Sequence, residues 1–310
     1  MSAGSIGSKA TKVMKILLAT DGSAQAESAA LWLSQLPRHP QLELTILAVK
    51  AVHEGHASID SFPAEPRNRE AEVNHSVAAC ARAEAMFQGL ARIESYQLEG
   101  HPGVTIVEQA ERRGVDLVIV GARGHSLLER VFLGSTSDFV ATHAPCSVAI
   151  IRPNVAGERR LQPTKFCVAL DDSEASRAAL DVFGALNWKT DGKLDLLHVI
   201  IRPYSYAEVP IVFDLAEMEK AAEAMLEKVA ARWKDKAASV QCHVIESGHV
   251  GCGIVSAAES KGDDMIVMGD TGRGLLGRFL IGSASRYVLH HAHCSVAIAR
   301  RKKTDRPATN

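Results

Sequence analysis

No stretch of this chain holds about 20 consecutive apolar residues, the length a helix needs to cross a bilayer, so no membrane-spanning helix is expected. Met1 to Thr11 are small and polar and carry no apolar segment of the kind a secretory signal requires, and the expected location is cytoplasmic. Neither sign of charge is in excess: 35 Lys and Arg stand against 36 Asp and Glu, a formal net charge of −1. That balance leaves no basic footprint for nucleic acid and no cationic surface for an anionic membrane, so neither is expected as a partner. Cysteines are few and scattered: Cys80, Cys146, Cys167, Cys242, Cys252 and Cys294 form no Cys-x-x-Cys pair. This argues against a disulfide framework and fits a reducing compartment, with the cysteines of apolar runs acting as small hydrophobes. The Gly-x4-Gly-Lys-Ser/Thr loop is missing too, and with it the lysine that reaches β- and γ-phosphates. No Ser/His/Asp or Cys/His set can be assembled from spacing. No catalytic residue is therefore assigned, and binding is better supported than efficient catalysis.

What the chain does have is a strand followed by a glycine loop and a helix. Residues 117–120 form an apolar run free of breakers, which reads as a buried strand. Gly121-Ala122-Arg123-Gly124 follows it, and nine residues later Gly134-Ser135-Thr136 opens a helical segment. Glycine admits positive φ and a close approach of ligand to backbone. A helix N-terminus presents unpaired N–H groups and the positive end of a dipole, a seat for phosphate. Arg123, between the first two glycines, is placed to add a guanidinium, and Ser135 and Thr136 add hydroxyls. Leu127, Leu128, Val131 and Phe132 give the intervening loop a helical period.

The pattern occurs twice. Gly269, Gly272, Gly282 and Ser283 repeat it 148 residues on, and Cys294 repeats Cys146 at the same spacing. Around each copy, strands alternate with helices. The expected strands of the first copy are 15–19, 42–49, 95–99, 117–120 and 147–151; those of the second are 165–170, 194–200, 240–245, 265–268 and 295–299. Helices are expected at 24–36, 71–91, 104–113, after Gly134, up to 186 and over 214–234. Gly114 and Gly262 stand where a left-handed residue closes a helix. The fold class is therefore α/β: two tandem doubly wound, five-stranded, Rossmann-like parallel-sheet domains, 1–154 and 155–310, with ligand outside the carboxyl ends of the strands. Residues 153–163 read as the linker.

Gly-x2-Gly-x9-Gly-Ser after a strand resembles the nucleotide-binding signature of the universal stress protein family, and the similarity extends over both copies. The resemblance implies ATP or AMP as ligand, with Mg2+ accompanying ATP. It implies that Asp21 and Asp171, which end the first strand of each copy, lie beside the nucleotide, and that the backbone of Val49 and Val199 faces the adenine. Read from the residues alone, those acids favour a helix N-terminus and those valines are core. It implies an internal pseudo-dimer joined through the last strands, a homodimer as a further assembly, and an unidentified protein partner in stress response or signalling. The alternatives are a slow Mg-dependent ATPase assisted by Asp21, and an interaction scaffold with an empty site.

The two copies are not equivalent. Where the first has Arg123 and Thr136 the second has Thr271 and Ala284, and Asp172 and Asp270 replace Gly22 and Ala122. Extra carboxylates near a phosphate seat disfavour an anion. The second copy is therefore expected to bind nucleotide more weakly and to lean more on a divalent cation, although Arg273 and Arg286 pull the other way. His290-His291-Ala292-His293-Cys294 is rich in metal-ligand types, but the first copy reads Thr142-His143-Ala144-Pro145-Cys146 there. Helix-end and core roles explain it, and no metal is assigned.

Overall fold

The computed structural model describes residues 13–36, 42–52, 67–89, 92–123, 133–153, 164–185, 192–201, 214–271 and 281–300. Strands and helices alternate in the first half: β1 Met14–Thr20, α1 Ala24–Gln35, β2 Leu42–Ala51, α2 Arg67–Ala85, β3 Ile93–Gly100, α3 Pro102–Arg113, β4 Leu117–Gly121, α4 Ser135–His143 and β5 Ser147–Ile151. The second half repeats the order: β6 Lys165–Ala169, α5 Glu174–Ala185, β7 Lys193–Ile201, α6 Leu215–Ala231, β8 Ser239–Ser247, α7 Val250–Lys261, β9 Met265–Gly269, α8 Ser283–His291 and β10 Ser295–Ala299.

The strands join into one sheet in the order β3-β2-β1-β4-β5-β10-β9-β6-β7-β8. Pairing is parallel within each half. At the centre β10 runs antiparallel to β5, with Val296 opposite Ile150 and Ile298 opposite Val148. The last strands thus meet where the resemblance put the join. Both faces of the sheet are covered, which explains why β4, β5, β9 and β10 are buried at every residue and read as unbroken apolar runs. One layer of core includes Leu33 of α1, Cys80 of α2, Phe183 of α5 and Leu226 of α6. The other includes Ile106 of α3, Val140 of α4, Ile254 of α7 and Val288 of α8.

Element ends follow local chemistry. The Ser23 side chain accepts from Ala26 N at 3.2 Å and starts α1. Gly114 and Gly262 take φ of 59° and 65° and close α3 and α7, as expected. Two helices are shorter than expected. α2 stops at Ala85 rather than 91, since Met86 and Phe87 donate back three residues and Gly89 turns to φ 87°. α6 stops at Ala231 rather than 234, where Arg232 and Trp233 also donate three residues back. Conversely β3 and β8 are longer than expected. Each lies at an edge of the sheet, so its outward side chains are polar and a search for apolar runs shortens it. The expected helical period over 127–132 and most of the linker lie outside the described residues.

Candidate functional site

The order 3-2-1-4-5 in each half makes the gap between β1 and β4 the topological switch point. At the carboxyl ends of these strands the first half has a cavity of about 300 Å³. Its lining includes Asp21, Val49, Gly121, Arg123, Gly134, Ser135 and Thr136. Seven of the eight residues expected at the first site thus converge on one space; the eighth, Gly124, lies outside the described residues.

Each wall has a local cause. Asp21 Oδ1 accepts from Ser23 N at 3.0 Å, and Thr20 Oγ1 accepts from Gly22 N at 3.2 Å. The turn from β1 into α1 is therefore held by its own side chains, and it carries Asp21 to the rim. Gly22 has φ 74°, and a Cβ there would sit 2.7 Å from His75 Nε2. Ala122 N donates to Ile151 O at 2.8 Å and Gly134 N donates to Ala122 O at 2.8 Å. These bonds close the base of the glycine loop and fix where α4 begins. Ser137 Oγ donates to Gly121 O at 2.7 Å, tying the first turn of α4 to the end of β4. Ser285 Oγ does the same to Gly269 O at 2.9 Å in the second half. Sequence reasoning passed over Ser137. Its signal was the hydroxyl three residues after Gly134, repeated as Ser285 at the same 148-residue spacing.

The glycines act differently from their sequence reading. Gly121, Gly134, Gly269 and Gly282 all avoid positive φ; the N-cap Gly134 has φ −65° and Gly282 −65°. What demands glycine at 121 is packing: a Cβ would lie 2.8 Å from the backbone carbon of Gln25 and 2.9 Å from its oxygen. At Gly269 it would lie 2.6 Å from the backbone carbon of Ala175. The first glycine of each loop lets the first helix of its half press onto the sheet. Gly134 and Gly282 have no side chain to cap the helix behind them, so its N-terminus faces the cavity without a competing hydroxyl or carboxylate.

The second half has a cavity of about 520 Å³ in the corresponding place. Asp171, Val199, Gly269, Gly282 and Ser283 line it, while Gly272 and Arg273 lie outside the described residues. Thr271 stands in the lining where the first half has Arg123. The expected effect of Asp172 and Asp270 is corrected. Neither belongs to the lining. Asp172, at φ 62°, pairs with Arg177 at 3.3 Å. Asp270 Oδ2 lies 3.4 Å from Arg300 Nε, whose side chain is almost wholly buried. Each carboxylate is turned to an arginine, so the case for greater cation dependence at the second site falls.

The histidine-rich segment resolves into separate contacts. His290 Nε2 is 3.1 Å from Asp138 Oδ1 across the join, and His291 stacks on Tyr287 at 4.0 Å. Cys294 is buried, and burial pushes its thiol up to about 12. Among the described residues no three His, Cys, Asp or Glu side chains converge on a metal position. All six cysteines are free, and no described helix is long and apolar enough to cross a membrane.

A protein of Mycobacterium tuberculosis described as a universal stress protein is 26% identical over 307 residues, covering 94% of this chain and 99% of its own. A solved universal stress protein of Archaeoglobus fulgidus superposes with a TM-score of 0.64 at 20% identity, covering 94% of this chain and 97% of that one. A third, described as a universal stress protein in complex with cAMP, covers 45% of this chain and 97% of its own at 25% identity and a TM-score of 0.33. The profile of the universal stress protein family matches twice, over residues 12–152 and 163–300. With two matches that together span most of its length, the chain belongs to the universal stress protein family, as a tandem member.

Proposed function

We propose that this protein is a cytoplasmic sensor module that binds an adenine nucleotide, ATP or AMP, in its first cavity. Phosphate would sit at the start of α4 against Arg123, Gly124, Gly134, Ser135 and Thr136, with adenine against Val49 and with Asp21 at the rim. Asp21 is the one carboxylate of the described lining, enough with phosphate oxygens to share an Mg2+ brought by ATP. Asp171, Val199, Gly269, Gly272, Gly282 and Ser283 form the corresponding, weaker seat in the second half. Nucleotide occupancy would alter a contact with a protein partner in stress response or signalling, and the functional halves would divide at 154/155.

The observation that carries the reading is the convergence at the switch point of residues drawn from β1, β2, β4 and α4 around one cavity. Charge-assisted hydrogen bonds contribute about 1.5–3 kcal/mol each, so three or four with base burial reach micromolar affinity, about −8 kcal/mol. The test is mass spectrometry of ligand released from the purified protein, followed by calorimetry. ATP or AMP should be released, and Arg123→Ala should weaken ATP binding about 10- to 100-fold. Unchanged affinity in that variant would sink the assignment. No nucleotide and no binding would leave a scaffold; multiple-turnover phosphate release would make the protein a slow ATPase.

A further inference from the structure

The two cavities share a backbone but differ in side chains: Ser176 and His198 add polar groups where the first half has Ala26 and Ala48, while four other changes run toward apolar surface. The common strand register makes Ile200 and Ile201, which line the second cavity, the counterparts of Lys50 and Ala51, which do not line the first. Thr271 replaces Arg123 and Ala284 replaces Thr136. Each of these four changes removes a cation, removes a hydroxyl or adds apolar surface. Among the described residues the second lining contains no Lys or Arg.

The mouth changes likewise. Ile201 and Met218 line the second cavity and are 54% and 42% exposed, two of the six exposed large hydrophobics among the described residues. Leaving both in water forgoes apolar burial worth about 25 cal/mol per Å². Behind them the walls continue through Ile254 and Met268. Apart from Asp171, whose Oδ1 is engaged by Ser173 N at 3.1 Å, the polar groups that remain are of a kind that holds a neutral molecule. His198 Nδ1 lies 2.7 Å from Leu170 O, an acceptor, so Nδ1 carries the proton. In the neutral ring Nε2 is then an acceptor. Thr271 and Ser283 add hydroxyls. The volume, about 520 Å³ against about 300 Å³, suits a drug-sized ligand.

We propose that the second cavity is a separate binding site for an uncharged, mainly apolar small molecule carrying a hydrogen-bond donor, so that the tandem chain presents one anion-binding and one apolar seat. This goes beyond the reading above by giving the second seat a ligand class of its own in place of a weaker nucleotide site, and it stands whether or not the first cavity holds nucleotide. Phosphate would gain little here, since none of the described walls carries a cation to offset its desolvation.

The probe is N-phenyl-1-naphthylamine, a neutral amine that fluoresces in apolar surroundings and carries one N–H. The full chain should bind it saturably, with one molecule per chain. Ile201→Lys with Met218→Lys should weaken binding at least tenfold. Both side chains are exposed, so the double variant should keep its circular dichroism and melting temperature. Arg123→Ala should leave probe binding unchanged, and ATP in large excess should not displace the probe. Unsaturable binding, equal affinity in the double variant, or displacement by ATP from the Arg123→Ala protein would each overturn the proposal. ATP calorimetry on the same samples reads the first cavity separately: loss of ATP binding there with the probe still saturating here refutes only the nucleotide reading.

Discussion

Asp263 follows the glycine that closes α7 and is buried, and neither of its oxygens meets a donor while it is ionised. Burial, and then the neighbouring Asp195 carboxylate, push its pKa up to about 7, while Lys261 and Lys165 act against the rise. Protonated, it donates to Asp195, which itself lies 2.8 Å from His243 Nε2. Two buried thiols, Cys167 and Cys294, also lie within reach of its charge. The unfolded chain releases the aspartate proton near pH 4, whereas the folded chain holds it to about 7. The contribution of Asp263 to stability is therefore complete below about pH 4 and is lost as pH rises through about 7. Asp263→Asn should flatten the fall in stability over that window and raise stability at pH 8 by about 1–3 kcal/mol, read by urea denaturation across pH. An unchanged pH profile would show that the pair does not bind the proton. The first half is a built-in control, because Val115 occupies the corresponding buried position after Gly114.

α4 and α8 each start at a cavity and end at the join, where an arginine from the other half caps them. Arg300 Nη2 donates to Ala141 O at 2.5 Å and Nη1 to Ala144 O at 3.1 Å, at the end of α4. Its counterpart Arg152 donates to Leu289 O at 2.7 Å and Cys294 O at 3.3 Å, at the end of α8. A cation at a helix C-terminus offsets the dipole and satisfies carbonyls that have no partner within the helix. Burial lowers the pKa of both, that of Arg152 to about 10 with Arg123 adding to the fall. Among the described residues only Arg300 has a carboxylate partner, Asp270. Arg300→Met strands that carboxylate and should cost about 3–5 kcal/mol, whereas Arg152→Met leaves only carbonyls behind and should cost about 1–3 kcal/mol. Denaturant midpoints of the two variants check the order, and equal losses would show that Asp270 adds nothing to the latch.

Across the whole molecule the antiparallel contact of β5 with β10 turns two five-stranded sheets into one of ten. Ser147 Oγ accepts from Arg300 N at 3.0 Å and Ser295 Oγ from Arg152 N at 3.1 Å, so the join is laced symmetrically at both ends. Cutting the chain at 154/155 would leave β5 or β10 as an edge strand whose residues are apolar or small and otherwise buried. Such an edge templates pairing with another chain. The separate fragments 1–154 and 155–310 should self-associate in light scattering, and mixing them should restore a 1:1 complex. Fragments that stay monomeric at high concentration would show that the join contributes little.

By itself the sequence determined the fold class, the repeat and many of the residues that line the two cavities. Covered strands must be apolar throughout, so β4, β5, β9 and β10 were legible, and Gly114, Gly262 and Ser23 marked helix ends through local backbone needs. Edge strands β3 and β8 were only partly legible, because half of their side chains answer to solvent. Only the tertiary structure decided what each conserved-by-repeat residue is for. Gly121 is glycine because the backbone of α1 lies against it, a contact between segments nearly a hundred residues apart that no local pattern encodes. Asp270 looked like a charge facing a phosphate and is instead held by Arg300, whose guanidinium also caps a helix of the other half. Spacing gives the order of side chains along a strand or a turn. Which charges cancel depends on contacts made only in the folded chain, and for Asp270 with Arg300 the same guanidinium also reaches across to the other half.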